Sequence, residues 1–172
     1  MSENTRVAVV VGNPKPKSRT YEAALLVAEQ VTGLAPAVVI DVVDLGAGLL
    51  DWEDPAVAEA VQAVRDSTVL IVASPTFKAT YTGLLKLFLD RFPGDALAGT
   101  VAIPLMLGAG PGHALAPEIF LKHVLVELGA SCPTRALYVI DRDYRDPAAI
   151  EGWLAGARPQ VAAAIAGLAE TA

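Results

Sequence analysis

The stretch that decides the fold is residues 74–90, which read SPTFKATYTGLLKLFLD. It follows the apolar run TVLIVA at residues 68–73, which predicts a buried strand. Residues 80–91 are expected to form a helix, because Pro93 and Gly94 stop the apolar pattern there. Pro75 therefore lies at the carboxyl end of a strand, where open α/β sheets bind their ligands.

The rest of the chain alternates strands with helices. Apolar runs predict further strands at residues 6–12, 38–43, 101–107 and 131–140, and a loop at residues 44–53. Helices are expected from Ser18 or Thr20 to about residue 30, and at residues 55–65, 114–128 and 147–168, the last interrupted around residues 156–159. This alternation predicts a parallel sheet with right-handed crossovers. Five strands fit the flavodoxin-like order 2-1-3-4-5 better than the six-stranded dinucleotide fold, so we expect one α/β three-layer domain over residues 1–172.

Composition excludes several classes of protein. The chain has 172 residues and a net charge of −6, which argues against a nucleic-acid surface. It contains no apolar run of the roughly 18 residues that a membrane span needs. Cys132 is the single cysteine and belongs to no metal-ligand pattern, so no metal site is expected. With no secretory signal at its start, the sequence favours a cytoplasmic location.

The charge distribution points to one basic loop in an acidic protein. No acidic residue lies between Asn4 and Tyr21, whereas four basic residues do: Arg6, Lys15, Lys17 and Arg19. This pattern is typical of a receptor for a small anion. A solvated basic loop without a ligand is the alternative.

The first loop, GNPKPKSRT at residues 12–20, has the features of a phosphate site. A helix N-terminus offers unpaired N–H groups and a partial positive charge, to which Ser18 and Thr20 add hydroxyls and Arg19 a charged donor. Gly12 is its one glycine, so the loop matches neither a dinucleotide nor a P-loop motif. A monophosphate such as that of FMN is the better guess, although Ser18 could serve only as a helix cap.

Both stretches resemble motifs of the NADPH-dependent FMN reductase family. The first resembles G-S-P-R-x-x-S-x-T, with Asn13 for serine and Lys15 for arginine. The second resembles P-x-Y-x-x-x-x-x-G-x-L-K-x-x-L-D, with Phe77 where tyrosine is usual. It matches at Pro75, Gly83, Leu85, Lys86, Leu89 and Asp90. The resemblance is closest to the alkanesulfonate-type two-component flavin reductases.

A third loop, GAGPGH at residues 108–113, resembles the family pattern G-G-x-x-x-H. Gly108 and His113 match it, and Ala109 replaces the second glycine. In the family this loop lies at the pyrimidine edge of the flavin. His113 could bond the cofactor or the nicotinamide nucleotide, and a helix-capping role is the equal alternative.

The resemblance implies a flavin site built from three loops. Its residues would be Gly12, Asn13, Pro14, Lys15, Ser18, Arg19, Thr20, Pro75, Thr76, Phe77, Lys78, Tyr81, Gly108, Ala109, Gly110 and His113. Lys78 would neutralise reduced flavin, meet a pyridine-nucleotide phosphate or simply be solvated. Tyr81 and Thr82 would lie beside the flavin of a neighbouring subunit. No catalytic side chain is expected, because the flavin carries hydride transfer itself.

The implied activity is an NAD(P)H-dependent FMN reductase that supplies reduced flavin to a partner flavin-dependent monooxygenase. Three alternatives remain: a reductase with bound FMN acting on quinones, azo dyes or metal oxyanions, a non-catalytic electron-transfer module, and a degenerate structural subunit. The cofactors would be FMN and NADPH or NADH. We expect a homodimer or homotetramer, because Phe88, Phe92 and Phe120 need to be buried.

Overall fold

The central apolar runs form the middle of a parallel sheet in this computed structural model, which describes residues 5–171. Within that range five strands pair in the order 2-1-3-4-5, which confirms the expected flavodoxin-like fold. The strands are β1 (Val7–Val11), β2 (Val38–Asp41), β3 (Val69–Pro75), β4 (Val101–Gly108) and β5 (Leu137–Ile140).

Helices cover both faces of the sheet. The α-helices of the described residues are α1 (Arg19–Thr32), α2 (Pro55–Arg65), α3 (Gly83–Leu89), α4 (Lys122–Glu127) and α5 (Ala148–Thr171). Side chains alternate along β1, so that Val9 faces α1 and α5 while Val10 faces α2, α3 and α4. This burial on both faces explains why the central strands are almost continuously apolar.

The segment after β2 differs from its predicted conformation. The strand ends at Asp41, and residues Val42–Leu50 form 3-10 turns that change direction at Gly46, whose φ is 52°. Val42 and Leu49 are buried in the core beside α2 and α3. The burial of these two side chains holds the segment against the sheet, although the sequence had predicted a loop at residues 44–53.

The predicted helix over residues 114–128 begins two residues later than expected and opens with a π-helical turn. A 3-10 turn at Pro111–His113 and a π-helical turn at Pro117–Leu121 precede α4. Pro117 has no N–H to donate to the preceding turn and stands in the first turn of this stretch, where that N–H would have no acceptor in any case, so the helix begins at residue 116 and not at residue 114. The predicted fifth strand is divided: Ser131 forms an isolated parallel bridge with Val101, and β5 itself begins only at Leu137, after Pro133, which has no N–H to donate to β4.

Two other predictions were also wrong in detail. Helix α5 continues through Pro159, because Leu154, Ala157 and Val161 keep it packed against the sheet on both sides of the proline. Phe88 and Phe92 are buried inside the chain, edge to face with ring centroids 5.4 Å apart, so neither is available for a subunit interface.

Thr82 ties α3 to the ends of two strands. Its hydroxyl donates to the Gly12 carbonyl (2.6 Å) and accepts from Leu85 N–H (3.1 Å) as the helix N-cap. Its backbone N–H donates to the hydroxyl of Ser74 (3.0 Å). The helix therefore begins at Gly83 rather than at Thr80, and the loop between β3 and α3 is closed at its base.

Gly12 lies where α3 approaches β1. A Cβ atom at this position would be 2.2 Å from the Cβ of Leu85, far closer than atoms can pack. The glycine is thus required by packing within the chain.

Within residues 5–171, no helix has both the length and the apolar character needed to cross a membrane.

We predict that Thr82→Val lowers the free energy of unfolding by roughly 2 kcal/mol or more. It removes the helix cap and leaves the buried Gly12 carbonyl without its donor. Thr82→Ser keeps the hydroxyl and should retain most of the stability. Urea unfolding measures both, and equal loss in the two variants would contradict a role for the hydroxyl.

Gly12→Ala should destabilise the protein by roughly 1–3 kcal/mol, because the new methyl group must displace Leu85. Gly83→Ala is the matched control: a Cβ there meets nothing within 4 Å, and alanine favours the helix that begins at this residue. Thermal unfolding of the pair tests this, and a harmless Gly12→Ala would show that the approach of α3 to β1 is looser than described.

Candidate functional site

Three loops meet at the carboxyl edge of the sheet, and every predicted site residue lies in or beside one of them. They follow the adjacent strands β1, β3 and β4. Backbone hydrogen bonds fix their bases: Gly12 N–H donates to the Ala73 carbonyl (2.8 Å) and Thr76 N–H to the Leu107 carbonyl (2.7 Å). The topology therefore brings together residues that are up to about a hundred positions apart in the sequence.

The first loop is shaped by its own polar side chains. Asn13 donates through Nδ2 to the Thr20 hydroxyl (3.1 Å) and accepts through Oδ1 from Lys15 N–H (2.9 Å). Ser18 caps α1 by accepting from Tyr21 N–H, and both Ser18 and Thr20 are buried. Thus Asn13 and Thr20 hold the loop in shape, whereas Pro14 and Lys15 are exposed at its surface.

Asp41, which sequence reasoning missed, anchors the same loop from the end of β2. Its Oδ2 accepts from Lys17 N–H at 2.9 Å, and the residue is only 4% exposed. Among the described residues no partner is present for its other oxygen, Oδ1. Burial raises the pKa of the Asp41 carboxyl, while the bond from Lys17 opposes that rise. A single acidic residue inside the apolar run of residues 38–43 was the signal that could have identified it.

Two cationic side chains of the first loop, those of Lys17 and Arg19, have different partners. The Lys17 ammonium lies 4.1 Å from the centre of the Tyr21 ring. Arg19 Nη1 lies 3.2 Å from Asp141 Oδ2, in an ion pair whose arginine side chain is 60% exposed. Asp141 follows β5, so it too is at the carboxyl edge, and sequence reasoning had not singled it out.

The segment after β5 is fastened to α1 by a second polar cluster. The Tyr144 hydroxyl donates to Glu22 Oε2 (2.5 Å), and Arg145 forms an ion pair with the same carboxylate. Both hydrogen bonds lower the pKa of Glu22, and the one from Tyr144 has the larger effect. The cluster keeps Asp141 beside the start of α1.

The second loop is a tight hairpin with backbone strain. Phe77 and Thr80 exchange two backbone hydrogen bonds, and the residues between them, Lys78 and Ala79, have φ of 52° and 70°. Two successive positive φ values are typical of a type I′ turn and cost a residue with a side chain about 1 kcal/mol or more each.

That hairpin exposes an aromatic ring at the edge of the sheet. Phe77 is 51% exposed, so its ring is not part of the core. Beside it, the Thr76 hydroxyl is buried, and among the described residues it has no hydrogen-bond partner. Tyr81 is half-buried against the core, and the Thr82 hydroxyl is used inside the chain and cannot face a neighbour.

The third loop depends on a tyrosine from the edge strand. The Tyr138 hydroxyl donates to the Gly110 carbonyl (2.7 Å) and occupies the space beside Gly108, where a Cβ would lie 1.9 Å from it. Gly108 is therefore required by the packing of Tyr138 within the chain. Ala109 is exposed, and His113 is exposed in a groove of about 330 Å³ that also contacts Ala79.

Comparison with known proteins agrees with this architecture. Residues 5–145 match the family described as NADPH-dependent FMN reductase. An FMN reductase (NADPH) of Escherichia coli K12 is 40% identical over 79 residues, which are 46% of this chain and 41% of that protein. The NADH-dependent FMN reductase SfnF of Pseudomonas fluorescens Pf0-1 is 29% identical over 85% of this chain and 82% of its own length. The match thus spans less than half of the first relative and most of the second.

A solved structure is also similar over nearly the whole chain. It is the apo form of an NADH:FMN oxidoreductase (EMOB), with a TM-score of 0.81 and 30% identity over 95% of this chain and 89% of that one. The family match covers well over half of the sequence and includes all three loops. The chain therefore belongs to the NADPH-dependent FMN reductase family.

Proposed function

We propose that this protein is an NAD(P)H-dependent FMN reductase that passes reduced FMN to a separate monooxygenase. The observation that supports this most is the meeting of a basic helix N-terminus with an exposed aromatic hairpin at one sheet edge. The first feature suits a phosphate ester and the second a flat ring. Family membership favours FMN as the molecule that carries both.

The first loop fits the phosphate end of FMN. The first N–H groups of α1 have no intrahelical acceptor and point out of the helix, with the partial positive charge of its N-terminus behind them. The Ser18 hydroxyl accepts from Tyr21 N–H, which leaves its proton available for an anion. Arg19, exposed and already oriented by Asp141, adds a charged donor.

The second and third loops fit the ring end. Phe77 offers an exposed aromatic face, and the buried Thr76 hydroxyl next to Gly108 has unused hydrogen-bonding capacity. A buried polar atom without a partner is costly, so a ligand heteroatom at that position would be stabilising. Backbone groups of residues 108–110 complete a polar rim, held in place by Tyr138.

FMN, when bound, supplies a ring that accepts hydride from a nicotinamide nucleotide. The protein's own residues have to bind the phosphate, present the ring and exclude water from one side of it. Lys78, exposed at the tip of the hairpin, carries a positive charge beside that ring. His113 lines the same groove as Ala79 of the hairpin, which supports a contact with the nucleotide or the flavin.

We further propose that the protein works as a homodimer or homotetramer. Leu115, Ile119 and Phe120 are exposed together in and just before the π-helical turn, next to the third loop. Apolar side chains clustered in this way favour contact with another subunit. Phe120 is the one phenylalanine of the three first considered that is available for this.

Arg19→Ala should weaken FMN binding by roughly two- to tenfold and leave riboflavin binding unchanged, because only FMN carries the phosphate. The effect is modest because the Arg19 side chain is exposed and paired with Asp141. Arg142→Ala is the control, since Arg142 is an exposed arginine that pairs with Asp143 instead. Fluorescence titration measures both flavins, and an unchanged FMN affinity would count against the phosphate site.

Consumption of NADPH by the purified protein, with and without excess free FMN, tests the activity. We expect strong turnover only when FMN is added, because the flavin is a substrate that leaves reduced. Turnover without added FMN, stimulated by a quinone or dye, would indicate a bound prosthetic group and another acceptor. Tight FMN binding without turnover would favour an electron-transfer module, and NADH in place of NADPH measures the nucleotide preference.

A further inference from the structure

The phosphate loop is held in its shape by a carboxylate that belongs to another strand. Asp41 pairs with Val11 across β2 and β1, so it lies level with the point where the loop leaves the sheet. Its Oδ2 accepts from Lys17 N–H (2.9 Å), one residue before the N-cap Ser18. The contact thus joins β2 to the last turn of chain before the phosphate-binding helix.

The residue that receives this bond has an unfavourable backbone conformation. Lys17 has a φ of 47°, in the left-handed region that residues with a side chain rarely adopt. Such a conformation persists only where its surroundings enforce it. The Asp41 hydrogen bond on one side and the contact between the Lys17 ammonium and the Tyr21 ring on the other supply that enforcement.

We propose that Asp41 is a positioning residue for phosphate recognition: it holds the loop so that the first N–H groups of α1 converge on the phosphate of FMN. This inference rests on the proposed function of the same site. Asp41 need not touch the ligand, since it acts through the backbone of Lys17.

The useful property of Asp41 is its acceptor oxygen and not its negative charge. Oδ1 is buried without a hydrogen-bond partner among the described residues, and burial disfavours the ionised form. A carboxylate near a phosphate dianion also repels it, and the exposed Asp44 adds a second negative charge nearby. An amide in place of the carboxylate would keep the acceptor and remove the repulsion.

The test is the ratio of FMN affinity to riboflavin affinity in variants of the full chain. We expect Asp41→Ala to reduce this ratio by roughly tenfold or more while riboflavin binds as before. Asp41→Asn should keep the ratio within about threefold of wild type or raise it, because Lys17 N–H retains an acceptor. Asp44→Asn is the control for charge alone and should not lower the ratio. If Asp41→Ala does not fold, Asp41→Leu removes the acceptor while filling the buried space.

Hydrogen exchange without flavin gives a second readout. The Lys17 amide should exchange faster in Asp41→Ala than in wild type, and remain protected in Asp41→Asn. A wild-type protein with equal affinity for FMN and riboflavin would overturn the phosphate site itself, and this inference with it. A wild-type preference for FMN that survives in Asp41→Ala would overturn the inference alone. So would an Asp41→Asn variant that loses the preference as fully as Asp41→Ala.

Discussion

The hydrogen bonds that join α3 to the ends of β1 and β3 set the geometry of the carboxyl edge of the sheet. Thr82 contacts the Gly12 carbonyl and the Ser74 hydroxyl at the same time, so the first and second loops start from one fixed point. The absence of a side chain at Gly12 lets Leu85 close the space behind them. Because both loops share this base, movement of one requires breaking buried hydrogen bonds of the other.

Polar residues from the outer strands complete the arrangement. Asp41 at the end of β2 fixes the backbone of the first loop, and Asp141 after β5 orients Arg19. Tyr138 in β5 fixes the backbone of the third loop by donating a hydrogen bond to the Gly110 carbonyl. The central strands therefore carry the loops, and polar groups from the flanking strands help to fix the first and the third of them.

Hydrophobic runs and proline and glycine signals were sufficient to predict the strands, their order and the loops that carry the candidate site. They failed where tertiary contacts outweigh local preference: Leu49 draws a glycine-containing segment onto the core, and packing keeps α5 continuous through Pro159. Asp41, Thr82 and Tyr138 were missed as determinants of the site because their partners lie 24, 70 and 28 positions away in the chain. Such pairings depend on the fold: an acidic residue inside an apolar run marks Asp41 as unusual, but no local pattern identifies its partner.

The hairpin at Lys78 and Ala79 has a consequence for the free energy of ligand binding. Glycine would adopt these left-handed conformations without strain, but it would also leave the unfolded and unbound loop with more freedom. With side chains at both positions, the conformational entropy is lost when the chain folds and not when a ligand arrives. If this loop contacts the flavin as proposed, its preorganisation reduces the entropic penalty of binding, and the loop does not have to reorder when the ligand leaves.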